Sequence, residues 1–289
     1  MTLLKEWTGS FLIIALCFLI GLLSAFIGSI VGFGGGVILV PILLILHTTS
    51  PMFEWAEANT VVGISLIIMV FTAMSSTYAY AKVKRIDYKS GMLFILGSLP
   101  GGILGAWLNQ FVETKLFSLF LGIFILLIFS MFFFKSTEGK KATNVSQHKG
   151  SKWMISQRVK LGEKEYQYTF SIITAVALSF LVGALSGFFG IGGGSLMVPA
   201  MILFFAFPPH IATATSMFMI LSLSIVSSST HIFLGHIEWQ YVWAFIPGAW
   251  IGGTLGAKVN QHMTSRAIAI LLRLLLLFIG LRLIWQGLW

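Results

Sequence analysis

Charged residues and cysteine are scarce in this chain of 289 residues, and both shortages narrow its class. Only 9% of the residues are charged, against about 25% in soluble domains, while 57% are hydrophobic. A soluble fold is therefore excluded, and we expect a polytopic membrane protein. The single cysteine, Cys17, excludes an intrachain disulfide and leaves no plausible metal cluster.

Acidic residues are also few, nine against 18 Lys and Arg, which gives a net charge of +9. Because Lys and Arg collect in the cytoplasmic loops of membrane proteins, this excess reports topology rather than nucleic-acid binding. All nine acidic residues lie at or near the ends of apolar segments, so an acidic proton relay is hard to build within the membrane.

Ten apolar segments follow one another, five in each half of the chain. They cover residues 11–31, 37–46, 60–80, 92–108, 116–134, 170–189, 195–207, 215–234, 241–259 and 267–285. Most run near the roughly 20 residues that a helical span needs and lack the alternation of barrel strands. The sequence therefore predicts an all-α integral membrane protein with 8–10 transmembrane segments. Segments two and seven are short, so they are half-helices, tilted spans or re-entrant pieces.

A glycine-rich break occurs twice, each time directly behind a long apolar segment. The first break reads Gly32-Phe33-Gly34-Gly35-Gly36, and the second reads Gly190-Ile191-Gly192-Gly193-Gly194. Glycines hold a helix poorly, since each costs about 1 kcal/mol relative to alanine. Non-helical backbone inside a bilayer is tolerated only where protein buries it or where it lines a cavity. Two matched breaks therefore indicate a transporter binding site.

Other short motifs recur in the same order in both halves. The matches are Pro41 with Pro199, Ala56-x-Ala58-Asn59-Thr60 with Ala212-x-Ala214-Thr215-Ser216, Ile86-Asp87-Tyr88 with Ile237-Glu238-Trp239, 101–106 with 252–257, and Thr114-Lys115 with Ser265-Arg266. They predict two internal repeats, 1–134 and 169–289, each with one glycine-broken helix. Between them, residues 135–168 form a polar linker that we expect to be cytoplasmic and loosely ordered.

Loop charge favours inverted repeats. Loop 81–90 holds four Lys and Arg and loop 47–58 holds none, which places loop 81–90 inside. In the second half the equivalent loop, 235–240, has no Lys or Arg, and the basic loop is 258–266, one segment later. Five crossings per half explain this switch and put both termini outside. Four crossings plus a re-entrant piece would instead give parallel repeats with both termini inside.

The glycine breaks are candidate anion sites. A helix that begins just after a break presents unpaired backbone N–H groups and a partial positive charge, so it can bind an anion without a side-chain cation. In inverted repeats, two such N-termini converge on one site. Close helix packing is the alternative role of the glycines. The candidate substrate-binding residues are Gly34, Gly35, Gly36, Gly192, Gly193 and Gly194, with Ser195 as a hydroxyl donor.

Two polar pairs, Asn59-Thr60 and Thr215-Ser216, open segments three and eight. Either they complete the anion site beside the glycine breaks, or they only cap the N-termini of their helices. Their matched positions in the two halves are consistent with a place in the site.

Other unusual residues favour structural roles. Glycines recur every fourth residue at 97, 101 and 105 and at 248, 252 and 256, a spacing typical of close helix packing. Arg273 lies within the last segment, where it either reaches toward the interface or attracts the anion in the pore. For His231, satisfied polar packing is favoured over proton coupling. Serines 227–229 have no acid–base pair nearby in sequence, so we predict no enzyme activity. We also predict that the protein holds no metal and no cofactor.

The doubled pattern G-[FI]-G-G-G-x-[IL]-x-V-P, with the Ala-x-Ala-[NT]-[TS] start of the next helix, resembles the TauE/SafE sulfite exporter family, also called the toluene-sulfonate uptake permease superfamily. The resemblance covers nearly the whole chain. It implies transport of sulfite, sulfoacetate and other organosulfonates, mostly outward, with 34–36 and 192–194 as signature positions. The long linker exceeds that of a minimal member.

We therefore expect a multi-pass protein of the bacterial plasma membrane that exports small sulfur-containing anions by alternating access. Uptake of sulfonate, thiosulfate or another small anion is the alternative. Uniport suffices for export, because one negative charge that leaves along an inside-negative potential gains about 2.3 kcal/mol per 100 mV. The expected partners are a small anionic substrate and the lipid bilayer, without nucleic acid, and a homodimer is left open.

Overall fold

The computed structural model describes residues 2–131, 154–161 and 164–288, which form ten α-helices, one short 3₁₀ helix (Pro51–Phe53) and one β-hairpin. The helices are α1 (Thr2–Val31), α2 (Gly36–Thr49), α3 (Ala58–Lys82), α4 (Tyr88–Asn109), α5 (Thr114–Met131), α6 (Ile172–Phe189), α7 (Gly194–Phe204), α8 (Pro209–Phe233), α9 (Trp239–Asn260) and α10 (Ser265–Leu288). The strands are β1 (Met154–Leu161) and β2 (Lys164–Ser171). The predicted helical membrane fold is confirmed.

Five helices, α1, α3, α4, α6 and α8, are long and apolar enough to cross a membrane by length and composition. Large apolar side chains such as Leu19, Leu96 and Leu181 are exposed on their outer faces. Apolar exposure of this extent is typical of a surface that contacts lipid. The chain is therefore a multi-pass membrane protein, and its exact number of crossings stays a prediction.

The helices α2 and α7 are short because each begins only after its glycine break. With 14 and 11 residues, they reach about 21 Å and 17 Å at a rise of 1.5 Å per residue. A hydrocarbon core of about 30 Å exceeds both lengths. Neither helix can cross alone without help from the break that precedes it.

The helices of the two halves pack against one another rather than as separate bundles. The central helices α3 and α8 contact each other, α1 packs on α9, and α4 packs on α6. In the same way α3 also contacts α9, α8 contacts α4, and α5 contacts α10. Most of the helix–helix packing described here therefore joins one half of the chain to the other.

Glycine stripes make the α4–α6 and α1–α9 contacts possible. A Cβ on Gly101 would overlap the carbonyl oxygen of Phe180, and a Cβ on Gly252 would overlap that of Leu22. The same overlap with carbonyl oxygens of the partner helix occurs at Gly97, Gly105, Gly248 and Gly256. Only bare backbone allows helices to approach this closely. The structure thus assigns the stripes a packing role.

Contacts between the halves occur at corresponding positions. Because α1 ends at Val31 and α6 at Phe189, these helices correspond at an offset of 158. Because α3 begins at Ala58 and α8 at Pro209, these two correspond at an offset of 151, which also relates α4 to α9. The pair Gly101–Phe180 becomes Gly252–Leu22 when the two offsets are applied.

The predicted match of Asn59-Thr60 with Thr215-Ser216 is wrong. It uses an offset of 156, whereas α3 and α8 have 25 residues each and correspond at 151. Thr215 and Ser216 lie in the second turn of α8 and correspond to Ile64 and Ser65. The connection 205–208 before α8 is shorter than the connection 50–57 before α3, and the common Ala-x-Ala pattern hid this difference.

The predicted linker ends in a hairpin, so the expected loose order is not met at β1 and β2. The strands pair antiparallel, with Met154 opposite Ser171. The Tyr168 ring lies 4.0 Å from that of Phe207, and its hydroxyl donates to Asp87 Oδ2 at 2.6 Å. Burial and the adjacent carboxylate raise the pKa of Tyr168, which keeps the hydroxyl a donor. Residues 135–153 lie outside the described ranges.

Candidate functional site

The two glycine breaks lie against each other in the middle of the helix packing. A Cβ on Gly36 would overlap the carbonyl oxygen of Gly190, and a Cβ on Gly194 would overlap that of Gly32. All ten residues of the two breaks are buried. Protein therefore surrounds this non-helical backbone, as a hydrocarbon environment requires.

Backbone conformation demands glycine at most of these positions. The φ angles are 84° at Gly32, 81° at Gly34, 93° at Gly35, 65° at Gly190 and 72° at Gly192. These values lie in the left-handed region, which other residues enter at a cost of about 1–2 kcal/mol. Gly193 differs from its counterpart Gly35, because its φ of −59° is helical. The two breaks are therefore similar but not identical.

One serine from each central helix holds the break of the other half. Ser65 Oγ in α3 donates to the carbonyl oxygen of Gly190, and Ser216 Oγ in α8 donates to that of Gly32, both at 2.7 Å. Ser65 and Ser216 correspond at the offset of 151. The sequence singled out Ser216 but missed Ser65, because the wrong register paired Ser216 with Thr60.

Both breaks end in helix N-termini that no side chain caps. The N-cap residues Gly35 of α2 and Gly193 of α7 make no side-chain capping bond. The first backbone N–H groups of a helix have no acceptor within the helix and carry the positive end of its dipole. Two such ends lie beside the contact between the breaks, which is the geometry that a small anion can use.

Apolar side chains of the central helices also pack against the breaks, beside the polar Ser216 and Thr213. Met69 Sδ lies 3.2 Å from the Cβ position of Gly34 and 2.9 Å from that of Gly192. Ile220, which corresponds to Met69, also lies near Gly34, with Cγ2 at 3.2 Å from its Cβ position. Apolar surroundings lower the local dielectric constant, so backbone dipoles act more strongly on a charge there than they would in water.

The remaining predicted site residues divide between the breaks and other places. Ser195 Oγ donates to the carbonyl oxygen of Gly192 at 3.2 Å, so it braces the second break. Thr215 Oγ1 instead accepts the backbone N–H of Asp87 at 3.0 Å, in the loop between α3 and α4. Asn59 and Thr60 lie in the first turn of α3. The side chain of Arg273 lies outside the described residues.

Polar side chains bind the carbonyls that precede each break. Ahead of the first break, the Tyr80 hydroxyl donates to Ser29 O at 2.9 Å, and Asn260 Nδ2 donates to Ile30 O at 2.6 Å. We call the group of Tyr80, Asn260, Arg85 and His210 the arginine end.

The second break has a corresponding group. His231 Nε2 lies 3.4 Å from Gly187 O, and Asn109 Nδ2 donates to Phe188 O at 2.9 Å. His231 Nδ1 also lies 2.9 Å from His236 Nδ1, so one ring donates and the other accepts. We call the group of His231, His236 and Asn109 the histidine end. His231 is fully buried and hydrogen-bonded, as the polar-packing interpretation expects.

Comparisons with known proteins also indicate a membrane transporter. A family model described as sulfite exporter TauE/SafE matches residues 17–283. The probable membrane transporter protein YunE of Bacillus subtilis is 42% identical and covers 93% of this chain and 96% of its own length. A probable membrane transporter protein of Methanocaldococcus jannaschii is 25% identical over 93% of this chain and 95% of its own.

A relative that matches only part of the chain carries the family name itself. The sulfite exporter TauE/SafE family protein 6 of Arabidopsis thaliana is 26% identical over 50% of this chain and 32% of its own length. No solved structure matches the chain significantly. The family model covers most of the chain and the relatives are transporters rather than enzymes. The chain belongs to the TauE/SafE sulfite exporter family of membrane transporters.

Proposed function

We propose that this transporter exports small sulfur-containing anions, such as sulfite, sulfoacetate or other organosulfonates, and binds them where the two glycine breaks meet. The observation that carries the proposal is the mutual contact of the breaks, Gly36 with Gly190 and Gly194 with Gly32. Each break leads into an uncapped helix N-terminus. The description of the matching family supports sulfite as the first substrate to test.

The electrostatics of two helix N-termini suit a monovalent anion. Each N-terminus carries roughly half a positive elementary charge, so two of them offset about one negative charge. Because these charges belong to the backbone, the site binds without a fixed cation that would hold the anion tightly. Moderate affinity of this kind allows release on the far side.

Alternating access follows from how the central helices hold the breaks. Ser65 in α3 and Ser216 in α8 each bind a carbonyl of the other half. Relative movement of α3 and α8 would therefore shift both breaks together. The glycine stripes of α4 and α9 present no side chains at their contacts, so these helices can slide while packed.

The corresponding contacts support a two-fold relation between the halves. Such a relation turns the α1–α9 contact into the α6–α4 contact. It also exchanges α3 with α8 within the central pair. Loop charge favours a two-fold axis in the membrane plane, which inverts one half. Labelling of single cysteines at Lys84 and Lys258, in a Cys17→Ser background, tests this arrangement: both should react only from the cytoplasmic side.

Reconstituted efflux tests the function. Proteoliposomes loaded with radiolabelled sulfite or sulfoacetate should release label faster than protein-free liposomes. Release should grow as a potassium diffusion potential makes the interior more negative, since each 100 mV adds about 2.3 kcal/mol per charge. Efflux that does not change with potential contradicts uniport of an anion. Efflux no faster than from protein-free liposomes, for every sulfur anion tested, contradicts the substrate class.

A further inference from the structure

Arg85 carries a buried guanidinium nitrogen that bonds to none of the described residues. Its Nη1 is shielded from solvent, and within residues 2–131, 154–161 and 164–288 no atom accepts a hydrogen bond from it. Arg85 lies in the loop after α3, where its backbone N–H donates to Tyr80 O at 3.3 Å. Buried polar groups nearly always have partners, and an unpaired charged group is especially unfavourable. Because the described part of the chain supplies no acceptor, this nitrogen can bind a ligand.

The position of Arg85 relates it to the first glycine break. Its guanidinium lies close enough to the Tyr80 hydroxyl and the His210 ring to act on both electrostatically. Tyr80 in turn binds Ser29 O, three residues before Gly32. Arg85 thus lies one layer of side chains outside the break, on the side from which Tyr80 and Asn260 contact the end of α1.

Asp87, the carboxylate closest to Arg85 in sequence, accepts its hydrogen bonds from other donors. Asp87 accepts hydrogen bonds from the Tyr168 hydroxyl, the Ser90 hydroxyl and the Ser90 backbone N–H. These bonds hold Asp87 toward the hairpin and the start of α4. Asp87 therefore does not satisfy Arg85 Nη1.

We propose that Arg85 binds the transported anion at the arginine end before the anion reaches the glycine breaks, a role that rests on the proposed function. The planar guanidinium presents several N–H donors in a fork that suits the oxygens of sulfite and sulfonate groups. The corresponding position at the histidine end is His236, whose ring is bonded to His231. Of these two corresponding positions among the described residues, the one at the arginine end holds the arginine that receives the anion.

Three variants test the role of Arg85. Arg85→Gln removes the charge and the fork, Arg85→Lys keeps the charge alone, and Lys89→Gln removes an equal charge from an exposed side chain nearby. Sulfite transport by reconstituted protein should show a KM raised about tenfold or more in Arg85→Gln, as for the loss of one hydrogen bond to a charged group. Arg85→Lys should show a smaller rise and Lys89→Gln an unchanged KM.

The outcomes separate this role from the proposed function. If the wild type transports sulfite and Arg85→Gln has the same KM, Arg85 does not bind the anion and the function stands. If the wild type transports neither sulfite nor sulfoacetate, the proposed function itself fails. If Arg85→Gln does not fold, Arg85→Lys decides: a raised KM supports the role, and a wild-type KM overturns it.

Discussion

The arginine end and the histidine end make the same backbone contacts with different side chains. Tyr80 and His231 bind Ser29 O and Gly187 O, which correspond, and the two asparagines Asn260 and Asn109 do the same one residue later. The carbonyls ahead of each break therefore need a donor, and either a phenol or an imidazole can serve. Charge is where the two ends differ.

The difference in charge makes the two ends of the molecule chemically unequal. Position 85 holds an arginine, whereas the corresponding position 236 holds a histidine, a side chain that can lose its proton near neutral pH. Burial lowers the pKa of His236, which favours its neutral form in the folded protein. The two ends thus share their backbone contacts and differ in the charge that their side chains can carry.

The largest expected loss of stability comes from filling the glycine stripes, and it tests whether the two halves pack in the same way. Gly101→Leu and Gly252→Leu each drive a side chain into a carbonyl of the partner helix. Each should destabilise the protein by about 3 kcal/mol or more, as strong overpacking does. Ile103→Leu, on an exposed face of α4, is the control and should behave as wild type. Thermal unfolding in detergent measures the effect, and severe loss in only one glycine variant would contradict the equivalence.

A smaller difference in stability is expected between alanine variants of the two glycine breaks. Alanine at Gly35 must adopt a φ near 93° and meets Ser24 O at 2.9 Å, whereas alanine at Gly193 keeps a helical φ and meets the movable Met219 Cε at 3.0 Å. Gly35→Ala should therefore be less stable than Gly193→Ala by about 1–2 kcal/mol. Melting temperatures of the two purified variants, measured side by side, decide this. Equal melting temperatures would mean that the backbone relaxes at Gly35.

The smallest effect concerns pH at the histidine end. Because the folded pKa of His236 is lowered, its contribution to stability is complete above the unfolded pKa of about 6.5 and is lost as pH falls through the folded value. The loss is at most about 1.4 kcal/mol per pH unit. His236→Gln should lose less stability than wild type between pH 7 and pH 5.

His262→Gln, at an exposed histidine, is the matched control for that experiment and should follow the wild type. Unfolding curves at a series of pH values give the slopes to compare. A slope in His236→Gln as steep as in the wild type would assign the pH dependence to other groups, first of all to His231, whose ring is bonded to His236.

Most helices could be predicted from apolar length alone. The segment 241–259 falls within two residues at each end of α9 (Trp239–Asn260). The apolar pattern predicts the start of this helix at Thr215, six residues after its start in the structure at Pro209, because Pro209 and His210 are typical of a loop. Proline is well tolerated in the first turn of a helix, where its missing N–H has no partner to lose.

Register and side-chain geometry were harder to predict than helices. Small-residue patterns such as Ala-x-Ala recur by chance, so the match at 156 hid the correspondence of Ser65 with Ser216. The hairpin is missed because it follows a long polar stretch, although Tyr166, Tyr168 and Phe170 alternate with polar residues as in a strand. Arg85 could be counted as a loop charge, but its lack of a partner depends on where Asp87, Tyr168 and Ser90 direct their hydrogen bonds.

The crossed packing of α1 on α9 and α4 on α6 has a consequence for biosynthesis. When the ribosome has released the first half, the glycine stripe of α4 still lacks its partner α6, and α1 contacts α2 and α3 but lacks its main partner α9. We therefore expect that neither half completes its packing by itself. A protein cut within 135–153 should recover its fold only when both fragments are produced in the same cell.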